Sequence, residues 1–218
     1  MALPRLISAV YPFLYRQLYS CFAWAYDGVS WLVSLGHWDG WRRVALDFVT
    51  GIDVLEVGFG TGGLMAELAG RGVSIIGLEA SAAMHKITTR KLAELGESAP
   101  RVQGFAQRLP FADTSFDTVL ATFPAGFVTD ESAHREFARV LRPGGRLVFV
   151  DVTLSTNSPL FRLLFSLVFP PKPGATAKFT QALDDSGLRI SRRLVGQGAV
   201  RVAVTLGEKV SADVPAAR

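Results

Sequence analysis

One stretch constrains this chain more than any other: an apolar run that carries a single carboxylate and enters closely spaced glycines, V-L-E-V-G-F-G-T-G-G from Val54 to Gly63. Val54, Leu55 and Val57 suit a strand covered on both faces, as in a parallel sheet. Gly58, Gly60 and Gly62 permit backbone angles and a close ligand approach that a Cβ would block. Residues 64–69 form a good helix, so the run reads as a buried strand that delivers a ligand-binding loop to a helix N-terminus. The unpaired N–H groups of that terminus then point back at the ligand.

The rest of the chain repeats this strand-then-helix rhythm. Strand-like runs fall at residues 53–57, 74–78, 118–122 and 146–150, with a weaker one at 101–103. Helical stretches at 63–69, 82–95 and 131–140 lie between most of them, the last ending before the Pro143-Gly144-Gly145 turn. Such alternation predicts parallel strands joined by crossover helices. The C-terminal third departs from it. Residues 160–169 form an apolar segment closed by Pro170, Pro171 and Pro173, residues 175–185 read as a helix, and residues 188–195 and 199–206 read as two extended runs around Gly196-Gln197-Gly198. The last pair is a hairpin appended to the parallel sheet, and the tail after Lys209 is expected to fray. Residues 1–50, rich in Trp, Tyr and Phe, read as two or three helical pieces.

Composition excludes several classes. With 218 residues, 49% hydrophobic and 19% charged, the chain has room for one sizeable core and is not disordered. A lone cysteine, Cys21, forms no intramolecular disulfide and no structural zinc site, which favours a reducing compartment; it reads as a buried small hydrophobe. No His, Cys, Asp or Glu cluster has metal-ligand spacing. Pro4, Pro12 and Arg16 interrupt the apolar N-terminal stretches, and residues 160–169 are far shorter than the roughly 20 apolar residues that cross a bilayer. The expected location is therefore cytoplasmic, with peripheral membrane contact left open. The formal charge of +4 is uneven, with 11 Lys and Arg against 5 Asp and Glu from residue 140 onward. A solvated surface explains such a bias, although anionic lipid or nucleic acid would also suit it.

The glycine loop alone is ambiguous. Gly58, Gly60 and Gly63 match the G-x-G-x-x-G of dinucleotide-binding folds, whereas Glu56 with Gly58, Gly60 and Gly62 matches the E/D-x-G-x-G-x-G of enzymes that use S-adenosylmethionine. Glu79, about 20 residues on, holds ribose hydroxyls in either fold. Three later segments decide between them: Gly77-Leu78-Glu79-Ala80-Ser81 with Met84, then L-P-F-A-D-T-S-F-D-T-V from Leu109, then R-V-L-R-P-G-G-R-L-V from Arg139. In this order the chain resembles the class I S-adenosylmethionine-dependent methyltransferases, in particular the small-molecule group that includes the quinone-biosynthesis enzymes. The resemblance covers residues 53–151 closely. It implies an α/β fold: a doubly wound, mostly parallel, seven-stranded Rossmann-like sheet with a C-terminal antiparallel hairpin and an N-terminal helical extension. Residues 1–50 would be the helical lid or extension and residues 51–208 the methyltransferase domain.

The resemblance also assigns residues. Gly58, Gly60 and Gly62 would present backbone groups to the methionine end of S-adenosylmethionine, with Glu56 holding the loop or the ligand's ammonium. Glu79 would accept both ribose hydroxyls, and Ala80 and Met84 would pack near the adenine. Many relatives read G-D-A-E before L-P-F; here Gly104-Phe105-Ala106-Gln107 lacks the Asp that meets the adenine amino group. Phe105 would then stack on the base, or turn into the core and leave the contact to Ala106 backbone or Gln107. Losing one charge-assisted contact without replacement costs about 1.5–3 kcal/mol. Tyr26 of the Tyr26-Asp27 pair and Phe123, at the end of the fourth strand, would lie near the cofactor.

Substrates of open α/β sheets bind beyond the carboxyl ends of the strands. Here those ends are residues 122–127 and 151–153, and the first is apolar with no N-P-P-Y signature, which points away from nucleic acid. The N-terminal aromatics and residues 160–169 would flank the same end. A small, largely apolar acceptor is the expectation. The alternatives are a membrane-associated enzyme acting on a quinone or phospholipid head group, and a non-catalytic protein of the same fold. No general base stands out: His85 and His134 fall on crossover helices, and His37 sits among the aromatics.

Overall fold

The computed structural model describes residues 17, 20, 22–123, 127, 130–154, 179, 181, 183, 185–196 and 200–210. Cys21, the 160–169 segment, most of 124–129 and 175–185, and the tail beyond Val210 lie outside the described residues. Within them run α1 (Tyr26–Val33), α2 (Trp38–Arg43), β1 (Asp53–Val57), α3 (Gly63–Gly70), β2 (Ser74–Glu79), α4 (Ala82–Glu94), β3 (Arg101–Gln103), β4 (Phe116–Thr122), α5 (Glu131–Val140), β5 (Leu141–Leu154), β6 (Leu188–Val195) and β7 (Val200–Lys209). Short 3-10 turns at Ala23–Ala25 and Val44–Phe48 flank α1 and α2.

The seven strands form one sheet in the order β3-β2-β1-β4-β5-β7-β6. The first five run parallel, while β7 pairs antiparallel with both β5 and β6. The expected hairpin is there, with β7 as its inner strand. Strand order reverses between β1 and β4, the place where ligands lodge in such sheets.

Strand alternation sorts the core into two layers. Val54, Leu120, Val148, Val150 and Val204 meet Leu64, Met65 and Leu68 of α3 and Leu92 of α4, together with Ala45 of the N-terminal segment. Leu55, Val57, Val119, Ala121, Leu147 and Phe149 meet Ala133, Phe137 and Val140 of α5, together with Phe179 and Leu183. Both faces of the central strands are covered, which is why their sequences read as apolar runs. Ser81 caps α4 by accepting from the Met84 N–H at 3.2 Å, and Asp130 caps α5 by accepting from Ser132 N–H at 2.9 Å.

The two later motifs have structural duties. Arg139 donates to the carbonyls of Leu109 (3.0 Å) and Phe111 (2.8 Å) and pairs with Asp113 and Glu136 at 2.7 Å, while Glu136 accepts from Leu109 N–H, so the L-P-F-A-D segment is clasped onto α5. The R-P-G-G turn is a bulge at the start of β5: Phe116 aligns with Leu141, and the next aligned pair is Thr118 with Arg146. Gly145 is needed there, because a Cβ would lie 2.8 Å from the Arg142 carbonyl oxygen. Arg142 ties the bulge to Asp117 at 2.6 Å and Asp53 at 2.8 Å.

Candidate active site

The glycine loop leaves β1 at the carboxyl edge of the sheet and enters α3. Gly58, Gly60 and Gly62 all have positive φ, at 76°, 54° and 73°. Their surroundings differ. A Cβ at Gly60 would meet no described residue within 4 Å, whereas one at Gly62 would lie 2.3 Å from Thr88 of α4. Gly60 thus leaves the loop open to a ligand, and Gly62 lets α4 pack against it. Thr88 fastens that contact, its hydroxyl donating to the Gly60 carbonyl at 3.0 Å.

Glu79 ends β2 and spans the gap to this loop. One of its oxygens accepts from Ser81 N–H at 2.9 Å and the other from Gly60 N–H at 3.2 Å, leaving each oxygen capacity for a further donor. His85 Nε2 lies 3.1 Å from the Glu79 carbonyl oxygen, and its ring meets the edge of Phe59, which places it as a support for this corner.

Glu56 lies beneath the loop, almost fully buried. Burial pushes its carboxyl up to about 8; the Arg42 guanidinium opposes the rise and the Glu79 carboxylate adds to it. Among the described residues its Oε2 finds no hydrogen-bond partner, and neither does the buried Nε of Arg42. Arg42 arrives from α2, pairs with Asp39 at 2.7 Å and crosses the start of α3 so closely that a Cβ on Gly63 would lie 2.2 Å from its terminal nitrogen. Sequence reasoning missed Arg42, since nothing local links it to the loop; the one trace was the glycine at 63, where a larger residue would block it.

Asp27 was missed as well. It accepts from the Thr61 hydroxyl at 2.7 Å and pairs with Lys91 of α4 at 2.9 Å, fastening α1 to the glycine loop. Although partial burial raises its pKa, these two partners outweigh burial and hold it below the usual carboxylate range.

The remaining expected residues are dispersed. Ala80 is exposed, its carbonyl accepting from the Gln103 side chain at 3.0 Å. Met84 is fully buried behind the Ser81 cap, the position of a core side chain. Phe105 is 69% exposed, Ala106 is buried in the core, and Gln107 donates to Asp130 at 3.0 Å. Tyr26 is half-buried at the start of α1. Phe123 has φ 47°, unusual for a bulky residue, and its ring lies 4.4 Å from that of Trp38, so β4 ends in an aromatic wall. Of the histidines, His134 is buried and His37 stacks on Trp41 at 6.0 Å. Among the described residues no group of acidic, His or Cys side chains could hold a metal ion. A cavity of about 350 Å³ opens beside Asp53, Ser74 and Phe116, at the amino ends of the strands and away from the loop. Its cationic residue, Arg142, is neutralised by Asp53 and Asp117.

Residues 55–149 match the family described as a methyltransferase domain. The chain carries a class I methyltransferase domain. It is 38% identical over 148 residues to a demethylmenaquinone methyltransferase of Mycolicibacterium vanbaalenii, covering 66% of this chain and 60% of that protein. It is 33% identical over 169 residues to a ubiquinone/menaquinone biosynthesis C-methyltransferase of Pseudomonas savastanoi, covering 72% and 66%. The chain therefore spans about three fifths to two thirds of the length of these curated relatives. The methyltransferase domain also shares its fold with a geranyl diphosphate C-methyltransferase of Streptomyces coelicolor solved with geranyl diphosphate and S-adenosyl-L-homocysteine: TM-score 0.63 at 15% identity, over 79% of this chain and 78% of that one.

Proposed function

We propose that this chain transfers a methyl group from S-adenosylmethionine to a small, largely apolar acceptor. The observation that carries the reading is a pair of buried polar atoms beside the glycine loop that no described residue satisfies, Glu56 Oε2 and Arg42 Nε. An α-amino acid end supplies an ammonium for the first and a carboxylate for the second, and buried polar atoms of this kind call for partners. The α3 N-terminus and the open backbone at Gly60 favour the same carboxylate. Two carbon atoms of ribose carry adjacent hydroxyls, which match the two oxygens of Glu79, each already oriented by a backbone N–H. Phe105, exposed at the end of β3, offers a ring face to the adenine in place of the carboxylate that many relatives carry there. Ala80 contributes backbone on the same side, Tyr26 and Phe123 line the route to the reacting centre, and Met84 supports it from the core.

The cofactor supplies an electrophilic methyl on a sulfonium; orientation and exclusion of water fall to the chain. The described part of residues 1–50 acts as a lid, fastened through Asp27 to Thr61 of the loop. The ring pair Trp38–Phe123 bounds the acceptor side, which favours an apolar acceptor and disfavours nucleic acid. A demethylmenaquinone methyltransferase among the relatives and a geranyl diphosphate C-methyltransferase among the structures of the same fold support the same acceptor class. No dedicated base is assigned, since His85 is committed to the Glu79 carbonyl. A cytoplasmic location accords with the lone cysteine, and no helix among the described residues is long and apolar enough to cross a membrane.

Calorimetric titration with S-adenosylmethionine and with S-adenosylhomocysteine tests this. The native chain should bind both, and Glu79→Ala, confirmed folded by circular dichroism, should bind at least about tenfold more weakly, a loss of about 1.4 kcal/mol or more. Absence of binding by the native chain overturns the reading.

A further inference from the structure

The amphipathic pattern of α1 is inverted. Ala23, Ser30 and Ser34 are buried, and Asp27 on the same face bonds inward to Thr61 and Lys91. On the opposite face Trp24, Trp31, Leu32 and Leu35 are 77%, 64%, 65% and 75% exposed, with Phe22 and Val29 exposed beside them. Asp27 and Ser30 of α1, with Ala23 of the preceding turn and Ser34 at the C-cap, make the packed side, while Trp31 and Leu32 of α1, with Trp24 of the turn and Leu35 just past the helix, face outward. A helix anchored by its polar groups, with two indoles and two leucines outward, inverts the usual rule of burial.

We propose that this face of α1 docks the protein on an anionic bilayer surface, with Trp24, Trp31, Leu32 and Leu35 entering the interface. Tryptophan suits that position, because its ring prefers the headgroup level where one end is apolar and the other wet. Charge selects the occupant. Helix α4 packs against the 23–25 turn that carries Trp24, and its Lys91 holds Asp27 of α1. One helical turn apart on the same α4, Lys86 and Arg90 are exposed and make no ion pair among the described residues. Anionic headgroups complement these cations beside the apolar face. The proposal rests on the apolar-acceptor reading above only for its purpose. Asp27 joins the docked helix to the cofactor loop, so an acceptor dissolved in the bilayer would reach the site from its own phase.

Co-sedimentation of the full chain with vesicles tests the docking, while S-adenosylhomocysteine titration in solution separately tests the catalytic reading. Vesicles of equal parts phosphatidylcholine and phosphatidylglycerol should carry the native protein down, and high salt should weaken that binding. The variant Trp24→Ala/Trp31→Ala/Leu32→Ala should lose about tenfold or more in vesicle affinity with unchanged circular dichroism and S-adenosylhomocysteine affinity. Lys86→Glu/Arg90→Glu should lose binding to the anionic vesicles. Vesicles with brominated acyl chains should quench more tryptophan fluorescence in the native protein than in the variant. Native protein that stays in the supernatant overturns the proposal, as does equal binding by the triple variant. A native dimer that the triple variant makes monomeric would assign the face to a second copy and overturn it too.

Discussion

Glu56 should make the ligand-free protein lose stability as pH rises. Its carboxyl ionises near 4.5 in the unfolded chain, and burial pushes it up to about 8 in the fold, only partly opposed by Arg42. A raised folded pKa means that its contribution is fully present below the unfolded value and is lost as pH climbs through the folded one. The window is therefore set by 4.5 and about 8. At about 1.4 kcal/mol per pKa unit, the loss is roughly 1 kcal/mol near pH 5 and approaches 4–5 kcal/mol near pH 9, an upper bound. Glu56→Gln removes this titration and keeps the shape. Urea unfolding of both proteins across the range should give curves that diverge with pH, the variant being the more stable at alkaline pH. A ligand bearing an ammonium reverses the sign, because it pairs with the ionised carboxylate. S-Adenosylhomocysteine affinity should rise with pH by up to about tenfold per unit until about pH 8 and should be weakened by Glu56→Gln. 5′-Methylthioadenosine, which lacks the amino acid end, should show neither effect. Parallel stability curves for native protein and Glu56→Gln would refute the reasoning, and so would equal pH dependence for the two ligands.

Two other perturbations separate packing from binding. Gly62→Ala places a methyl group 2.3 Å from Thr88 at a φ of 73°, so thermal unfolding should show a loss of about 2 kcal/mol or more, and Gly62→Ala/Thr88→Ser should recover little because the backbone strain stays. Phe105→Ala, at an exposed ring, should leave stability within about 0.5 kcal/mol while weakening 5′-methylthioadenosine binding by about 1 kcal/mol, read by fluorescence titration; unchanged binding would remove Phe105 from the adenine site.

Local chemistry determined what could be read from the chain alone. The apolar run at Val54 to Val57, the three glycines and the carboxylate ending the next strand specify backbone shape and strand type, and these follow from neighbours in sequence. The helix at Glu131–Val140 has the same bounds in sequence and structure because a capping aspartate opens it and the strand-forming Leu141 closes it. What a side chain meets at long range was decided by tertiary structure. Arg42 lies 14 to 21 positions from the residues it serves, Glu56 and Gly63, and its approach depends on how α2 crosses α3. Asp27 reads as an ordinary acidic helix residue until Thr61 and Lys91 converge on it. Gly60 and Gly62 look alike in the pattern, yet one meets no described residue and the other abuts Thr88. The aromatics of residues 22–35 could equally have been core, and only the packing of Ser30 and Ser34 inward turned Trp24 and Trp31 to the surface. Backbone preference is set within a few residues, whereas desolvation and pairing are properties of the surroundings that the whole fold assembles.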